Sequence, residues 1–138
     1  MLRMNGMTRE AAIVDKGVTL LSIGGDHFVS YPLLQAHHAV HGPLSLIHFD
    51  AHSDTWGEGE PKSISHGTMF WHAKDEGLVV PERSVQVGLR THNDKTHGFN
   101  ILDATWVHSH GPEAVAAEIK RIVGNNKAYL TFDIDCLD

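Results

Sequence analysis

The 138 residues fit about one domain, and 41% hydrophobic with 20% charged residues is ordinary for a globular protein. The net charge of −6, without a run of Lys or Arg, excludes the usual electrostatic footprint of a nucleic-acid binder, and no apolar stretch reaches the roughly 20 residues of a membrane span. Residues 1–10 lack the apolar core of a signal peptide and Cys136 is the single cysteine, so we expect a cytoplasmic protein without an intrachain disulfide.

Short apolar segments alternate along the chain with segments of helical periodicity. The predicted strands cover residues 18–23, 44–49, 84–89, 101–107 and 128–132. The predicted helices cover residues 30–41, 68–76 and 113–123, the last with Pro112 at its start. A polar loop with Gly57, Gly59 and Pro61 separates the second strand from the second helix. This alternation predicts an α/β fold in which a mostly parallel sheet carries helices on both faces.

Acidic and imidazole side chains follow three of the predicted strands. They are Asp26-His27, the segment from Asp50 to Asp54, and the segment from Asp133 to Asp135. Side chains alternate along an extended chain, so Asp50, His52 and Asp54 can point the same way, as can Asp133 and Asp135. The carboxyl ends of the strands are where open α/β sheets bind ligands, and we expect these side chains to meet there.

This ligand set indicates the kind of ion that it would hold. Carboxylates and imidazoles without thiolates suit a hard or borderline divalent metal, and four carboxylates carry more negative charge than one such ion needs. We therefore expect a pair of metal ions, which can ionise a water molecule for hydrolysis at neutral pH. Acidic side chains in one cleft would also favour a cationic substrate.

Each candidate has an alternative role. A single Asp-x-His-x-Asp can be a solvated loop, but a second Asp-x-Asp after another strand argues against that reading. Considered alone, His27 would be a histidine at a helix start, Asp26 a capping residue, and His66 a loop histidine. The remaining histidines fit no ligand spacing and are predicted as surface or packing residues: His37, His38, His41, His48, His72, His92, His97, His108 and His110.

Four motifs in order carry a resemblance to a known family. They are Gly24-Gly25-Asp26-His27, the segment from Asp50 to Asp54, Ser65-His66-Gly67-Thr68, and the segment from Thr131 to Asp138. These motifs resemble the successive signatures of the ureohydrolases, the family of arginases and agmatinases. Their residues are most similar to those of bacterial agmatinases. The similarity extends from about Gly17 to Asp138.

The resemblance implies an arginase-like fold with two manganese ions. Asp50 and Asp133 would bridge the ions, His27 and Asp54 would complete one site, and His52 and Asp135 the other. A metal-bridging hydroxide would attack the guanidinium carbon and release urea. The match to the Ser-His-Gly-Thr stretch implies that His66 is the catalytic residue that shuttles a proton to the departing amine.

The substrate and the extent of the domain are further expectations. Arginases have an Asn where this chain has Trp56, and an indole is poorly suited to hold a carboxylate, which favours agmatine, hydrolysed to putrescine and urea. Guanidinobutyrate or an arginase-like substrate is the alternative. Residues 1–138 resemble a single incomplete domain, so the isolated chain is expected to be inactive and the full-length parent to be a homo-oligomer. A non-catalytic metal-binding module and an amide hydrolase of the similar deacetylase fold remain rival readings.

Overall fold

A computed structural model describes residues 3–4, 7–56 and 63–137. Gly57, Gly59 and Pro61 of the predicted polar loop, and Asp138, lie outside the described residues. The strands are β1 (Arg3–Met4), β2 (Met7–Thr8), β3 (Ser45–Phe49), β4 (Val85–Leu89), β5 (Asn100–Asp103) and β6 (Ala128–Phe132). The helices are α1 (Arg9–Val14), α2 (Ser30–His41), α3 (Met69–Asp75) and α4 (Ala104–Val123). Short 3-10 turns cover His27–Val29, Pro81–Arg83 and Ile134–Cys136.

Four of the strands form one parallel sheet in the order β5-β4-β3-β6. The registers place His48 of β3 opposite Gln86 of β4 on one side and opposite Thr131 of β6 on the other. The strands β1 and β2 pair separately as a small antiparallel ribbon. The predicted α/β fold with a mostly parallel sheet is confirmed.

The two faces of the sheet are covered by different helices. Leu46 of β3 is fully buried in a core that also contains Leu34 of α2 and Phe70 of α3. The next residue, Ile47, packs on the opposite side in a second core with Val115 of α4. Because successive side chains of a strand point to opposite faces, helices cover both faces, as predicted. No helix in the described ranges is both long and apolar enough to cross a membrane.

Most predicted elements match the structure closely. The helix over 30–41 and the strand over 128–132 are correct to the residue. The strands predicted at 44–49 and 84–89 each begin one residue later than predicted, and the helix predicted at 68–76 is one residue shorter at each end. These segments have either a clear apolar period or a helix stop such as Gly42.

The strand predicted over 101–107 is wrong in its second half. The observed strand, β5, ends at Asp103. The side chain of Asp103 accepts a hydrogen bond from the backbone N–H of Trp106 at 2.7 Å and so caps α4. The helix therefore begins nine residues before the predicted start, at Ala104. Gly111 interrupts it with φ of 79°, and Pro112 begins the second helical segment, as Pro does at a helix start.

The strand predicted over 18–23 is also wrong. These residues adopt no regular structure, and Leu21 and Ile23 are 84% and 93% exposed. Residues 18–22 and β6 line an open cavity of about 700 Å³. A strand needs a hydrogen-bonded neighbour, and across this cavity the segment pairs with none of the described strands. The side chains of Leu130 and Phe132 on β6 are consequently 60% and 51% exposed.

Candidate metal centre

Turns, rather than strand alternation, bring the predicted ligands together. The strand β3 ends at Phe49, so Asp50, His52 and Asp54 lie in the loop that follows, and Asp54 has a left-handed backbone with φ of 51°. After β6, the side chain of Asp133 caps the 3-10 turn that contains Asp135. The expected convergence occurs, but the strand geometry that we invoked for it is wrong.

The first group of side chains surrounds the imidazole of His27. Its Nδ1 lies 3.0 Å from a carboxylate oxygen of Asp50, 3.0 Å from one of Asp54 and 3.3 Å from one of Asp133. These oxygens are close to the buried nitrogen, but none of them meets the geometry of a hydrogen bond with it. A nitrogen that is aimed at three carboxylates without a hydrogen bond has the arrangement of a ligand around a cation, so these residues fit a divalent metal.

The second group shares Asp50 with the first. The Nδ1 of His52 lies 3.3 Å from Oδ1 of Asp50 and 2.9 Å from Oδ2 of Asp135, and potential ligand atoms of these three residues lie within 4.8 Å of one another. Asp50 turns Oδ2 toward the first group and Oδ1 toward the second. Asp133 approaches the first group through Oδ2, whereas its Oδ1 accepts the N–H of Asp135. The carboxylate of Asp50 thus faces two adjacent positions, each of which could hold an ion.

The buried charges of the first group perturb one another. Burial opposes the ionisation of Asp50, but His27, His48 and the backbone N–H of His52 outweigh it and hold the pKa of this carboxyl well below its usual range. Burial lowers the pKa of His27, but the carboxylates of Asp50 and Asp54 outweigh it and raise this pKa to about 9. In the metal-free site a proton on His27 therefore offsets part of the negative charge that a metal ion would neutralise.

A row of polar side chains lies beneath the ligands, on three neighbouring strands. Thr131 places its Oγ1 2.8 Å from Nε2 of His27, and His48 places its Nε2 2.8 Å from Asp50. Gln86 lies 2.9 Å from the other nitrogen of His48. His48 is packed, as predicted, but its hydrogen bond to Asp50 was missed. The signal was present, because His48 and Asp50 are two residues apart at the end of a strand.

A second residue that the sequence analysis missed joins the two ligand loops. Arg90 follows β4, and its backbone N–H donates to the carbonyl of Ala51 at 3.0 Å. Its guanidinium donates to the carbonyl of Asp135 at 2.5 Å. No spacing in the sequence identifies Arg90, because both of its partners are backbone atoms from distant segments.

His66 lies apart from both groups of ligands. Its side chain is 67% exposed, and Nδ1 lies 3.6 Å from a carboxylate oxygen of Asp26. Asp26 caps the 3-10 turn at His27 by accepting the N–H of Phe28 at 2.8 Å, which confirms its predicted capping role. The ring of Trp56 lies edge-on against that of His52, with 5.6 Å between centroids, and the backbone N–H of Trp56 donates to the carbonyl of Gly67 beside His66. The loop of His66 is thereby tied to the metal loop.

Comparison with known proteins places this arrangement in a family. The profile of the arginase family matches residues 4–138. The chain belongs to the arginase family. Within that family it is 55% identical over 127 residues to an agmatinase of Chromobacterium violaceum, a match that covers 91% of this chain and 39% of the relative.

Solved structures of the arginase family agree with the fold. A hypothetical agmatinase from Burkholderia thailandensis superposes with a TM-score of 0.88 at 55% identity, over 94% of this chain and 41% of that one. Proclavaminate amidino hydrolase from Streptomyces clavuligerus superposes with a TM-score of 0.76 at 37% identity, over 83% of this chain and 41% of that one. The chain spans about 40% of the length of the relatives that it matches.

Proposed function

We propose that the full-length protein that contains this chain is an agmatinase, a ureohydrolase that converts agmatine and water into putrescine and urea. The observation that carries the proposal is the pair of carboxylate–imidazole groups that share Asp50. The 55% identity to a protein named agmatinase favours this member of the family. The active protein is proposed to be a cytoplasmic homo-oligomer.

The donor set supports two manganese ions as the cofactor. His27, Asp50, Asp54 and Asp133 would hold one ion, and Asp50, His52 and Asp135 the other. For Asp133 to be the second shared ligand that the family resemblance implies, its Oδ1 would have to turn from the backbone N–H of Asp135. Oxygen and imidazole donors without sulfur suit Mn²⁺. When bound, the two ions would lower the pKa of a water molecule so that it can attack the guanidinium carbon at neutral pH.

The side chains around the ligands would bind and orient the substrate. The excess of carboxylates over imidazoles attracts a cationic guanidinium. Trp56, which is 40% exposed beside His52, offers an apolar face to the methylene chain of agmatine and no cation to bind a carboxylate. This chemistry favours a decarboxylated guanidine over arginine. Guanidinobutyrate, which also carries a carboxylate, fits this surface less well than agmatine and is the second candidate.

His66 is the proposed proton shuttle. Its exposed imidazole lies in a loop that is hydrogen-bonded to Trp56 through Gly67, next to the metal loop. An imidazole can both accept and donate a proton, so it can deliver one to the departing amine. In the described geometry His66 does not contact the ligands, so the proposal requires the substrate to lie between them.

The test is the release of urea by the full-length protein loaded with Mn²⁺. Agmatine, guanidinobutyrate and arginine would be compared at equal concentration, with Asp50→Asn as the inactive control. We expect the highest kcat/KM with agmatine. Preference for another guanidine would reassign the substrate, and binding of two ions without urea release from any of the three would support a non-catalytic metal-binding module instead.

A further inference from the structure

His48 occupies a position that its distances alone would assign to a metal ligand. It is fully buried, and one of its ring nitrogens lies within 4.8 Å of potential ligand atoms of His27, Asp50 and Asp54. Both of its ring nitrogens, however, have a partner within the protein. Nε2 lies 2.8 Å from Oδ2 of Asp50, and Nδ1 lies 2.9 Å from Nε2 of Gln86.

Gln86 decides which nitrogen of His48 carries the proton. The side-chain amide of Gln86 lies 2.6 Å from the carbonyl oxygen of Ser53. A carbonyl oxygen only accepts hydrogen bonds, so the atom of Gln86 that faces Ser53 must be the amide nitrogen. The same nitrogen uses its second N–H toward Nδ1 of His48, which must therefore accept. The remaining ring nitrogen, Nε2, then carries the hydrogen and donates it to Asp50.

We propose that His48 is a positioning residue, held in the Nε2–H tautomer by Gln86, which orients the shared carboxylate of Asp50 and does not bind metal. This inference rests on the proposed function, because it assigns a role toward the same pair of ions. The hydrogen bond from His48 uses one lone pair of Asp50 Oδ2, and the other lone pair faces the first group of ligands. Asp50 Oδ1 accepts the backbone N–H of His52 at 2.6 Å and faces the second group of ligands.

The strand register supplies the rigidity that this role needs. Gln86 and His48 are register partners on adjacent parallel strands, and their exposed fractions are 1% and 0%. Phe70 of α3 packs against the imidazole of His48 with 4.6 Å between ring centroids. The side chains in the row therefore have little freedom to turn, so the carboxylate is oriented before an ion arrives.

Two substitutions at position 48 separate the donor from the packing. His48→Phe retains an aromatic ring without a donor, whereas His48→Gln can place an N–H near the position of the imidazole Nε2. Measured on the full-length protein, His48→Phe should weaken binding of Mn²⁺ by about 10- to 100-fold, as loss of such outer partners does. The KM for agmatine should change less than twofold, and His48→Gln should recover most of the metal affinity. Equal losses in both variants, or none in His48→Phe, would overturn the proposal.

The tautomer itself can be measured without a substitution. In the metal-free full-length protein labelled with ¹⁵N-histidine, the long-range ¹H–¹⁵N spectrum of His48 should show a protonated Nε2 and an unprotonated Nδ1, and the same pattern should persist when diamagnetic Zn²⁺ replaces Mn²⁺ in the site. A protonated Nδ1, or loss of the Nε2 proton with a shift of that nitrogen when Zn²⁺ binds, would overturn the proposal. Because these readouts do not depend on turnover, a protein that binds Mn²⁺ but releases no urea would contradict the proposed function and leave the role of His48 measurable.

Discussion

Replacing Asp50 with alanine removes the carboxylate that both groups of ligands share. Each of its oxygens faces a different group, so Asp50→Ala in the full-length protein should lower the affinity for both proposed ions and abolish urea release. His52→Ala removes a half-exposed ligand from the second group alone. This variant should lose one ion and retain the other.

The structure also gives a magnitude for the metal-free protein. In Asp50→Ala the fully buried Nε2–H of His48 loses its acceptor, and a stranded buried donor costs about 1–3 kcal/mol. Asp50→Asn is a partial control: its amide oxygen can still accept from His48, but its amide nitrogen then faces the backbone N–H of His52 in place of Oδ1, and the charge is lost. It should therefore retain more of the folding stability than Asp50→Ala but little of the metal affinity.

Metal content after gel filtration, urea release and chemical denaturation in the presence of a chelator measure these effects. If Asp50→Ala retained two full equivalents of manganese, the shared-ligand arrangement would be refuted. Loss of stability in Asp50→Asn equal to that in Asp50→Ala would contradict the contribution assigned here to the hydrogen bond from His48.

Three further outcomes are expected. Because the pKa of His27 in the metal-free protein is raised to about 9, its ion pairs should stabilise the apoprotein fully below pH 6.5 and progressively less as the pH rises through 9. Denaturation midpoints measured against pH with a chelator present would show this loss of stability, and His27→Gln should remove its dependence on pH. The His66→Ala variant should bind both ions yet turn over about 10²- to 10⁴-fold more slowly, so unchanged kcat across neutral pH would return His66 to a loop role. The 138 residues made alone should be poorly soluble and inactive because Leu130 and Phe132 are exposed on the unpaired edge of β6; turnover of agmatine near the usual enzymatic range of about 1 to 10³ per second would contradict this.

The fold was predictable where each element carries its own signal. The helix over 30–41 has a glycine stop, and the strand over 128–132 is a short run bounded by polar residues, so local chemistry defines both. The segment 18–23 has the same apolar character, but a strand exists only with a partner, and that partner is a property of the tertiary structure. The start of α4 was not predictable, because it depends on the cap that Asp103 forms. In the sequence, Asp103 does not differ from an aspartate that only ends a strand.

The candidate site was predictable in its members but not in its geometry. Residue types and their places after strands predicted that Asp50, His52, Asp54, Asp133 and Asp135 lie together, and the family resemblance added His27. The structure brings these side chains together, and their role as metal ligands stays a prediction. The left-handed turn at Asp54 and the cap made by Asp133 were not predictable, because backbone dihedral angles in loops leave little trace in one sequence. The role of His48 required the orientation of Gln86, which only the pairing of β3 with β4 provides.

The backbone conformation of Asp54 also limits which amino acids can replace it. With φ of 51° it occupies a region in which Asn, Asp and Gly are the residues most easily accommodated. Among these three, aspartate alone supplies a carboxylate. Exchange for glutamate, elsewhere the mildest change for a carboxylate, would here combine backbone strain with a longer side chain in a space 3.0 Å from His27. Position 54 is thus restricted both by its backbone conformation and by the need for a negative charge. We therefore expect substitutions there to be rarer than at His52, whose backbone is not in the left-handed region.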